Sequence, residues 1–130
     1  MILIDTHIWI WWVQDEPQLT SSQRTHLLQN QSGGLGVSVF SCLEVARLDS
    51  RKQITLPLVI DDWIRAGLNY PGIKLVDFTP EIAIESIRIP SPFHKDPADR
   101  ILIATARALN IPLLTADAKI LNYPHVQTLT

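Results

Sequence analysis

The chain of 130 residues has the length of one ordinary domain and is too short for two. Charged residues make up 18% of it and hydrophobic residues 46%, which excludes a disordered chain and leaves apolar surface for a partner. The formal charge of -2 excludes a globally basic nucleic-acid-binding protein, so RNA binding would need a local basic rim or bound cations.

The cysteine count and the N-terminal segment bear on the compartment. The single cysteine, Cys42, cannot form an internal disulfide. The apolar segment MILIDTHIWIWWV carries Asp5 and His7, has no basic leader and is too short to span a bilayer. We therefore expect a cytoplasmic protein without membrane contact, with this segment in its core.

Strand and helix signals alternate along the whole chain. Thr6 is in position to cap a first helix, Thr20 and Gln23 have capping-box spacing, and Pro57 stands at a favoured first helical position. A proline-rich loop is expected at 89–97. The pattern predicts strands at 1–5, 35–39, 74–78, 111–115 and 126–129, and helices at 6–13, 21–30, 41–51, 57–70, 79–89, 97–110 and 116–123.

This alternation predicts a fold of the α/β class. Strands joined through helices form βαβ crossovers, which give a small, mainly parallel sheet flanked by helices on both faces. No repeat or linker divides the chain, so one domain is expected over 1–130. In such folds, ligands bind beyond the carboxyl ends of the strands, near a topological switch point.

Five acidic residues stand where predicted strands end or helices begin. One follows the first strand, one lies in the first turn of a helix after a strand, two open the helix at 97–110, and one lies just past the next strand. They are Asp5, Glu44, Asp96, Asp99 and Asp117.

Helix capping is the competing explanation for these acids. In HKDPADRILIATA, Asp96 suits an N-cap, and Asp99 lies where a capping-box acid reaches back. Asp5 can also cap a helix, and Glu44 lies three residues after Ser41. Capping does not require that the acids converge, however, whereas convergence would produce repulsion unless protons or cations relieve it.

Clustered carboxylates are suitable ligands for hard divalent cations. Cys42 and the four histidines have no zinc-site spacing, so Mg²⁺ or Mn²⁺ is expected rather than Zn²⁺. Such an ion binds phosphate oxygens, lowers the pKa of a bound water and stabilises a leaving oxygen, which is the chemistry of phosphodiester hydrolysis.

Four segments in one order, LIDTHIWIWW, SCLEVARL, HKDPADRILIATA and LLTADAKIL, resemble PIN-domain toxins of the VapC group over essentially the whole chain. The resemblance implies a PIN-like domain and a metal-dependent endoribonuclease, the toxin of a type II toxin-antitoxin system. It also implies an RNA substrate, a homodimer and a cognate antitoxin. The antitoxin would lie in an apolar groove that includes the early helices.

The resemblance also implies roles for individual acids. By position, Asp5, Glu44 and Asp99 match the family's acidic triad, and Asp117 matches its fourth, more variable acid. We expect these four to be catalytic and to bind metal. Asp96 matches an acid common in the subgroup with DPxDR, and we expect it to cap the helix and help to shape the metal site.

Several neighbouring polar residues allow two interpretations each. Arg100 has the spacing for a helix-surface ion pair with Asp96 and is equally suited to a substrate phosphate. Thr6 and Thr115 could orient metal-bound waters or cap helices.

Histidine, basic and tryptophan side chains complete the candidates. His7 and His94 flank the site but are more simply packing or surface residues. Arg47, Arg51 and Lys52 could form a local basic rim that holds RNA, or they could simply form a solvated helix face. Because successive helical residues point about 100° apart, three tryptophans cannot all face one core, and at least one should lie near the surface. An exposed tryptophan would suit the antitoxin groove, and burial beneath a neighbouring helix is the competing interpretation. The three tryptophans are Trp9, Trp11 and Trp12.

Two other functions remain as alternatives. An aspartyl-phosphate hydrolase of the haloacid dehalogenase type also places an Asp after its first strand, but it needs a second acid two residues later, where this chain has His7. A non-catalytic PIN-fold binding module would keep the fold without turnover. The identity of the RNA, the identity of the antitoxin and the number of metal ions are not encoded in any motif.

Overall fold

The computed structural model describes residues 1–93 and 96–130, which form an α/β fold around a parallel sheet. Every strand pairing in this sheet is parallel, in the order β3-β2-β1-β4-β5. The predicted fold class is therefore confirmed. The strands are β1 (Ile2–Ile4), β2 (Leu35–Ser38), β3 (Ile73–Val76), β4 (Leu113–Leu114) and β5 (Thr128–Leu129).

Helices connect these strands as the alternating pattern predicts. In the described part of the chain none of them is long and apolar enough to cross a membrane. They are α1 (Thr6–Val13), α2 (Ser21–Asn30), α3 (Val39–Ser50), α4 (Ile60–Leu68), α5 (Pro80–Arg88), α6 (Pro97–Leu109) and α7 (Ala118–Leu121).

The sheet changes its direction of growth at β1. From β1 the chain adds β2 and then β3 on one side, and it later adds β4 and β5 on the other side. The carboxyl ends of β1 and β4 consequently flank a topological switch point, where open α/β sheets bind ligands. Asp5 follows β1 directly, and Thr115 follows β4.

Helices cover both faces of the sheet because successive strand residues point to opposite sides. In β1, Ile2 and Ile4 join a core cluster with residues of α1, α2 and α4, whereas Leu3 joins a second cluster built mainly on α5 and α6. Leu113 and Leu114 of β4 divide between the two clusters in the same way. This division confirms a sheet that is covered on both faces.

Close packing of α1 against α4 buries two of the tryptophans. The rings of Trp9 and Trp63 meet edge to face at 5.0 Å, and Trp9 Nε1 donates to the Gly67 carbonyl at 3.1 Å. A Cβ atom at Gly67 would lie 3.0 Å from the Trp9 ring, so this contact depends on glycine.

The helix starts are partly as predicted. Thr20 and Gln23 form the predicted capping box of α2, and Thr79 caps α5 by accepting from Ile82 N. The predicted cap of α1 is wrong, because Asp5 rather than Thr6 occupies the N-cap position.

Two further predicted starts are wrong. Pro57 does not open α4, which begins at Ile60 after Val59, without a side-chain cap. Helix α3 begins at Val39, and its cap is Ser38, whose Oγ accepts from Phe40 N at 3.1 Å. Ser41 therefore lies inside α3, and it forms no capping box with Glu44.

Candidate active site

A cavity of about 350 Å³ lies at the switch point, beyond the carboxyl ends of β1 and β4. All five predicted acids line it, so residues separated by most of the chain share one cavity. Its full lining is Asp5, Thr6, His7, Trp11, Glu44, Asp96, Asp99, Leu102, Ala116, Asp117 and Lys119. We refer to it below as the acidic cavity.

Asp5 is the most deeply buried of these acids. It leaves β1 and caps α1, with Oδ1 accepting from Ile8 N at 2.9 Å and Oδ2 accepting from the Thr115 hydroxyl. Burial raises the pKa of Asp5, although both hydrogen bonds and nearby His7 partly offset that effect. The capping interpretation is thus correct for Asp5, but capping does not account for the bond to Thr115.

Thr115 connects two of the acids. It is fully buried, donates to Asp5 and accepts from the backbone N–H of Asp117 at 3.0 Å. Asp117 in turn caps α7, since its Oδ1 accepts from Lys119 N at 2.9 Å. One hydroxyl thereby fixes the position of Asp5 relative to the start of α7.

Glu44 is held by a pair of buried hydroxyls. Thr6 Oγ1 lies 2.5 Å from Glu44 Oε1 and 2.9 Å from Ser41 Oγ. A threonine hydroxyl has one hydrogen, so when Thr6 donates to Glu44 the remaining contact needs the Ser41 hydrogen. Burial raises the pKa of Glu44, and Thr6 and His7 oppose that rise.

Asp96 and Asp99 differ in their surroundings. Asp96 is exposed and caps α6 by accepting from Ala98 N at 3.0 Å, as predicted. Asp99 lies in the first turn of α6 and is half-buried. Burial and, to a smaller extent, the charges of the other four acids together raise the pKa of Asp99 to about 7. Mutual repulsion of this kind is what convergence was expected to produce.

The other walls of the acidic cavity are aromatic, apolar and basic. Trp11 is half-buried, while Trp9 and Trp12 are buried, which confirms that one of the three tryptophans lies near the surface. His7 is exposed one turn before Trp11, and their ring centroids are 5.8 Å apart. Lys119 was missed at the sequence level, although its position two residues after Asp117 in a short helix was a usable signal.

Arg100 makes a contact that neither of its interpretations anticipated. Its guanidinium donates to the carbonyls of Ser86 (Nε, 2.9 Å) and Ile87 (Nη2, 3.3 Å) at the end of α5. It therefore ties α6 to α5 and satisfies carbonyls that a helix end leaves free. His94 lies outside the described residues.

The three basic residues considered for a basic rim do not line the acidic cavity. Arg47, Arg51 and Lys52 are exposed at the end of α3 and just beyond it. None of the three is among the described residues that line the acidic cavity. Both interpretations of these residues stay open.

A larger cleft of about 630 Å³ lies elsewhere, where α5 and α6 meet the segment before β5. Its chemistry is less suggestive, because Arg107 and Glu85 in its lining are paired at 2.9 Å and neutralise each other. The acidic cavity rather than this larger cleft is therefore the candidate active site.

The donor chemistry of the acidic cavity fits a hard divalent cation. It gathers carboxylate oxygens, which are the ligands that such ions prefer, and the charges of the other four acids contribute to the raised pKa of Asp99. Across residues 1–93 and 96–130, no group of three or more His, Cys, Asp or Glu side chains is arranged to hold an ion. Convergence within one coordination sphere therefore stays a prediction for the ion-bound protein.

Comparison with known proteins assigns the family. A model of the PIN domain matches residues 2–126. The chain belongs to the PIN-domain family. This PIN-domain protein is 30% identical to "Ribonuclease VapC22" of Mycobacterium tuberculosis (strain ATCC 25618 / H37Rv), over 99% of this chain and 96% of that protein. The resemblance to the VapC group is thereby confirmed.

Solved structures share the fold of this PIN-domain protein at low sequence identity. FitAcB from Neisseria gonorrhoeae matches with a TM-score of 0.69 and 20% identity, over 100% of this chain and 97% of that one. VapBC2 from Rickettsia felis, bound to a promoter DNA fragment, matches with a TM-score of 0.67 and 14% identity, over 98% and 97%. A toxin-antitoxin complex from Klebsiella pneumoniae matches with a TM-score of 0.66 and 18% identity, over 100% of this chain and 97% of that one. At these identities the likeness concerns the fold alone.

Proposed function

We propose that this PIN-domain protein is a divalent-metal-dependent endoribonuclease, the toxin of a type II toxin-antitoxin system. One observation carries the proposal: five acids from four parts of the chain line one cavity at the switch point of the sheet. The activity named for the 30% identical relative, a ribonuclease, supports RNA as the substrate class.

The acids would hold Mg²⁺ or Mn²⁺. Asp5, Glu44, Asp99 and Asp117 are the proposed ligands and catalytic residues, and Asp96 would add negative charge from the α6 cap. A bound ion of this type activates water and stabilises the charge that develops during phosphodiester hydrolysis.

The chain's own residues orient these ligands. Thr115 fixes one oxygen of Asp5, and Thr6 fixes one oxygen of Glu44. The remaining lone pairs of both carboxylates are left for a cation, because each oxygen can accept more than one contact. Fixed ligands of this kind reduce the reorganisation needed when an ion binds.

RNA would be held by the few basic groups near the cavity. Lys119 is an exposed residue of its lining and is suited to contact a backbone phosphate, and His7 is a second exposed residue of the lining. This contact could be extended along the RNA by a local basic rim of Arg47, Arg51 and Lys52, which would offset the formal charge of -2. We propose the cytoplasm, where RNA is available, as the compartment.

A cognate antitoxin is the proposed protein partner. Two similar structures are described as toxin-antitoxin or VapBC complexes. In this chain an apolar groove lies between α1 and α4, and such grooves suit a helical or extended segment of another chain. It is lined by Val13, Gln14, Glu16, Thr55, Pro57, Leu58, Trp63 and Ala66.

A homodimer is proposed from a second apolar surface. On α5, Ile84 is 52% exposed and Ile87 is 77% exposed, which is unusual for side chains of this size on one helix. Burial against a second copy would remove this surface from water.

A nuclease assay tests the proposed function. Purified protein with Mg²⁺ should cleave single-stranded RNA, whereas the same protein with a chelator, and the Asp99→Asn variant with Mg²⁺, should not. A folded protein that binds RNA in Mg²⁺ but never cleaves it would instead favour the non-catalytic binding module. Cleavage that is unaffected by the chelator would refute the metal dependence.

A further inference from the structure

A second cleft opens beside the acidic cavity and shares a wall with it. This side cleft has a volume of about 480 Å³, within the range of small-ligand sites. His7 and Trp11 line both spaces, so the two meet along the outer face of α1. Its remaining lining is Ile10, Gln14, Glu16, Gln18, Gln53, Ile54 and Thr55.

Trp11 is the aromatic surface at this junction. Three of the four tryptophans, Trp9, Trp12 and Trp63, are buried in the core, whereas Trp11 is half-buried. Its ring packs on one side against the core and lies tilted by 56° to the His7 ring. A large aromatic ring held by its helix and partly open to solvent is a suitable surface for stacking a planar ligand.

Amide side chains also line the side cleft. Gln14 is fixed at both ends, with Nε2 donating to Glu16 at 3.0 Å and Oε1 accepting from Trp63 Nε1 at 3.1 Å. Gln18 and Gln53 are exposed, and each offers both a donor and an acceptor to an occupant. Amide groups of this kind pair with the edges of nucleobases.

We propose that the side cleft binds the base of the nucleotide next to the scissile phosphate, with Trp11 as the stacking surface and Gln18 and Gln53 at the base edge. This inference rests on the proposed function. In a nucleotide the base lies one sugar away from its phosphate, so a phosphate in the acidic cavity brings an adjoining base toward the shared wall. The side cleft shares Gln14, Glu16 and Thr55 with the groove between α1 and α4. Its two additional amides favour a base over an apolar peptide side chain.

Binding and cleavage are measured separately to test this subsite. Short oligoadenylate and oligouridylate are titrated, with Mg²⁺, into the Asp99→Asn variant so that the RNA stays intact. Stacking should quench tryptophan fluorescence on binding. Adding Trp11→Phe should abolish most of the quenching and keep the affinity within about twofold, because phenylalanine still stacks. Adding Trp11→Leu should weaken binding by about tenfold.

Two further variants protect the test against a folding defect. Gln53→Ala removes an exposed amide and should weaken binding by about threefold, as expected for one hydrogen bond. Gln29→Ala removes an exposed amide on α2, away from both clefts, and should leave the affinity unchanged. If Trp11→Leu lowers the thermal melting point by many degrees, Trp11→Phe and Gln53→Ala decide the outcome.

The possible results separate this inference from the proposed function. If the unmodified protein cleaves RNA but Trp11→Leu and Gln53→Ala bind like their parent, the subsite is refuted and Trp11 belongs to a protein-binding surface. If the unmodified protein cleaves no RNA while quenching and its loss are observed, the nuclease proposal fails and the base subsite stands. Absence of RNA binding by the parent overturns the subsite as well.

Discussion

The hydroxyl of Thr6 lies 2.5 Å from Oε1 of Glu44, although the two residues are 38 positions apart in the chain. Thr6 opens α1 and Glu44 lies in α3, so this bond joins the helix after β1 to the helix after β2. A similar hydrogen bond, from the Thr115 hydroxyl to Asp5, joins the ends of β4 and β1. Asp5 and Glu44 are thus each oriented by a threonine from a neighbouring element.

Loss of the Thr6 hydroxyl should weaken metal use without unfolding the protein. We expect Thr6→Val to raise the Mg²⁺ concentration for half-maximal cleavage by about ten- to a hundredfold, because Glu44 loses the donor that orients it. Thr6→Ser keeps the hydroxyl and should lie near the unmodified protein. Thr105→Val removes a buried hydroxyl that donates to Ile101 within α6, and it controls for general core damage. Equal Mg²⁺ dependence in Thr6→Val and Thr6→Ser would show that this bond does not position a ligand.

Removing the charge of Asp99 should separate activity from stability. Asp99→Asn keeps the side-chain shape but removes a proposed ligand, so cleavage in Mg²⁺ should fall to background. In the absence of metal the same change relieves repulsion from the other four acids, so the melting temperature should rise. Undiminished cleavage by the purified variant would refute Asp99 as a ligand.

The stability of the metal-free protein should fall as pH rises from about 4 to 7. The pKa of Asp99 is about 7 in the folded protein and 3.8 for the unperturbed group, so between these values the folded state holds a proton that the unfolded state has lost. The contribution of that proton to the free energy of unfolding is complete below pH 3.8 and is lost as the pH rises through about 7. The raised pKa values of Asp5 and Glu44 act in the same direction. Melting curves at several pH values in a chelator measure this, and Asp99→Asn should show a smaller fall.

Much of the fold could be predicted because its signals are local. The apolar runs predict the strands, and Thr20 with Gln23 predicts the start of α2. The 100° step between helical residues predicts a tryptophan near the surface. The wrong helix starts have local causes too. Ser38 and Ser41 are both acceptable caps by composition, and only the end of β2 decides between them. Pro57 is a good first residue, but it precedes the start of α4 by three positions.

The convergence of the acids followed from topology, whereas the contacts among them did not. Strand ends of a parallel sheet share one edge, so placing Asp5 and Asp117 together needed only the order of elements. The bond between Thr115 and Asp5 spans 110 positions and has no local signal. The hydrogen bonds of Arg100 could not be predicted either, because they go to backbone carbonyls of α5, which any sequence provides.

Inhibition by the antitoxin should weaken as Mg²⁺ rises. An arginine or lysine from the antitoxin could neutralise the acidic cavity in place of the ion, so the two would compete for the same carboxylates. The half-inhibitory concentration of a cognate antitoxin should therefore increase with Mg²⁺. A constant value across the Mg²⁺ range would indicate that the antitoxin acts only through the groove between α1 and α4.

The apolar surface of α5 should hold a homodimer together in solution. Ile87 is the most exposed of the large hydrophobic residues in the described part of the chain, and Ile84 lies one turn before it on the same helix. Light scattering at tens of micromolar should give twice the monomer mass, and Ile87→Glu should give the monomer mass, since a buried unpaired carboxylate is costly. Leu28→Glu places the same charge on α2, at an apolar residue that is 63% exposed, and it should leave the dimer intact. A monomeric unmodified protein would contradict the dimer, and dissociation by Leu28→Glu but not by Ile87→Glu would move the interface away from α5.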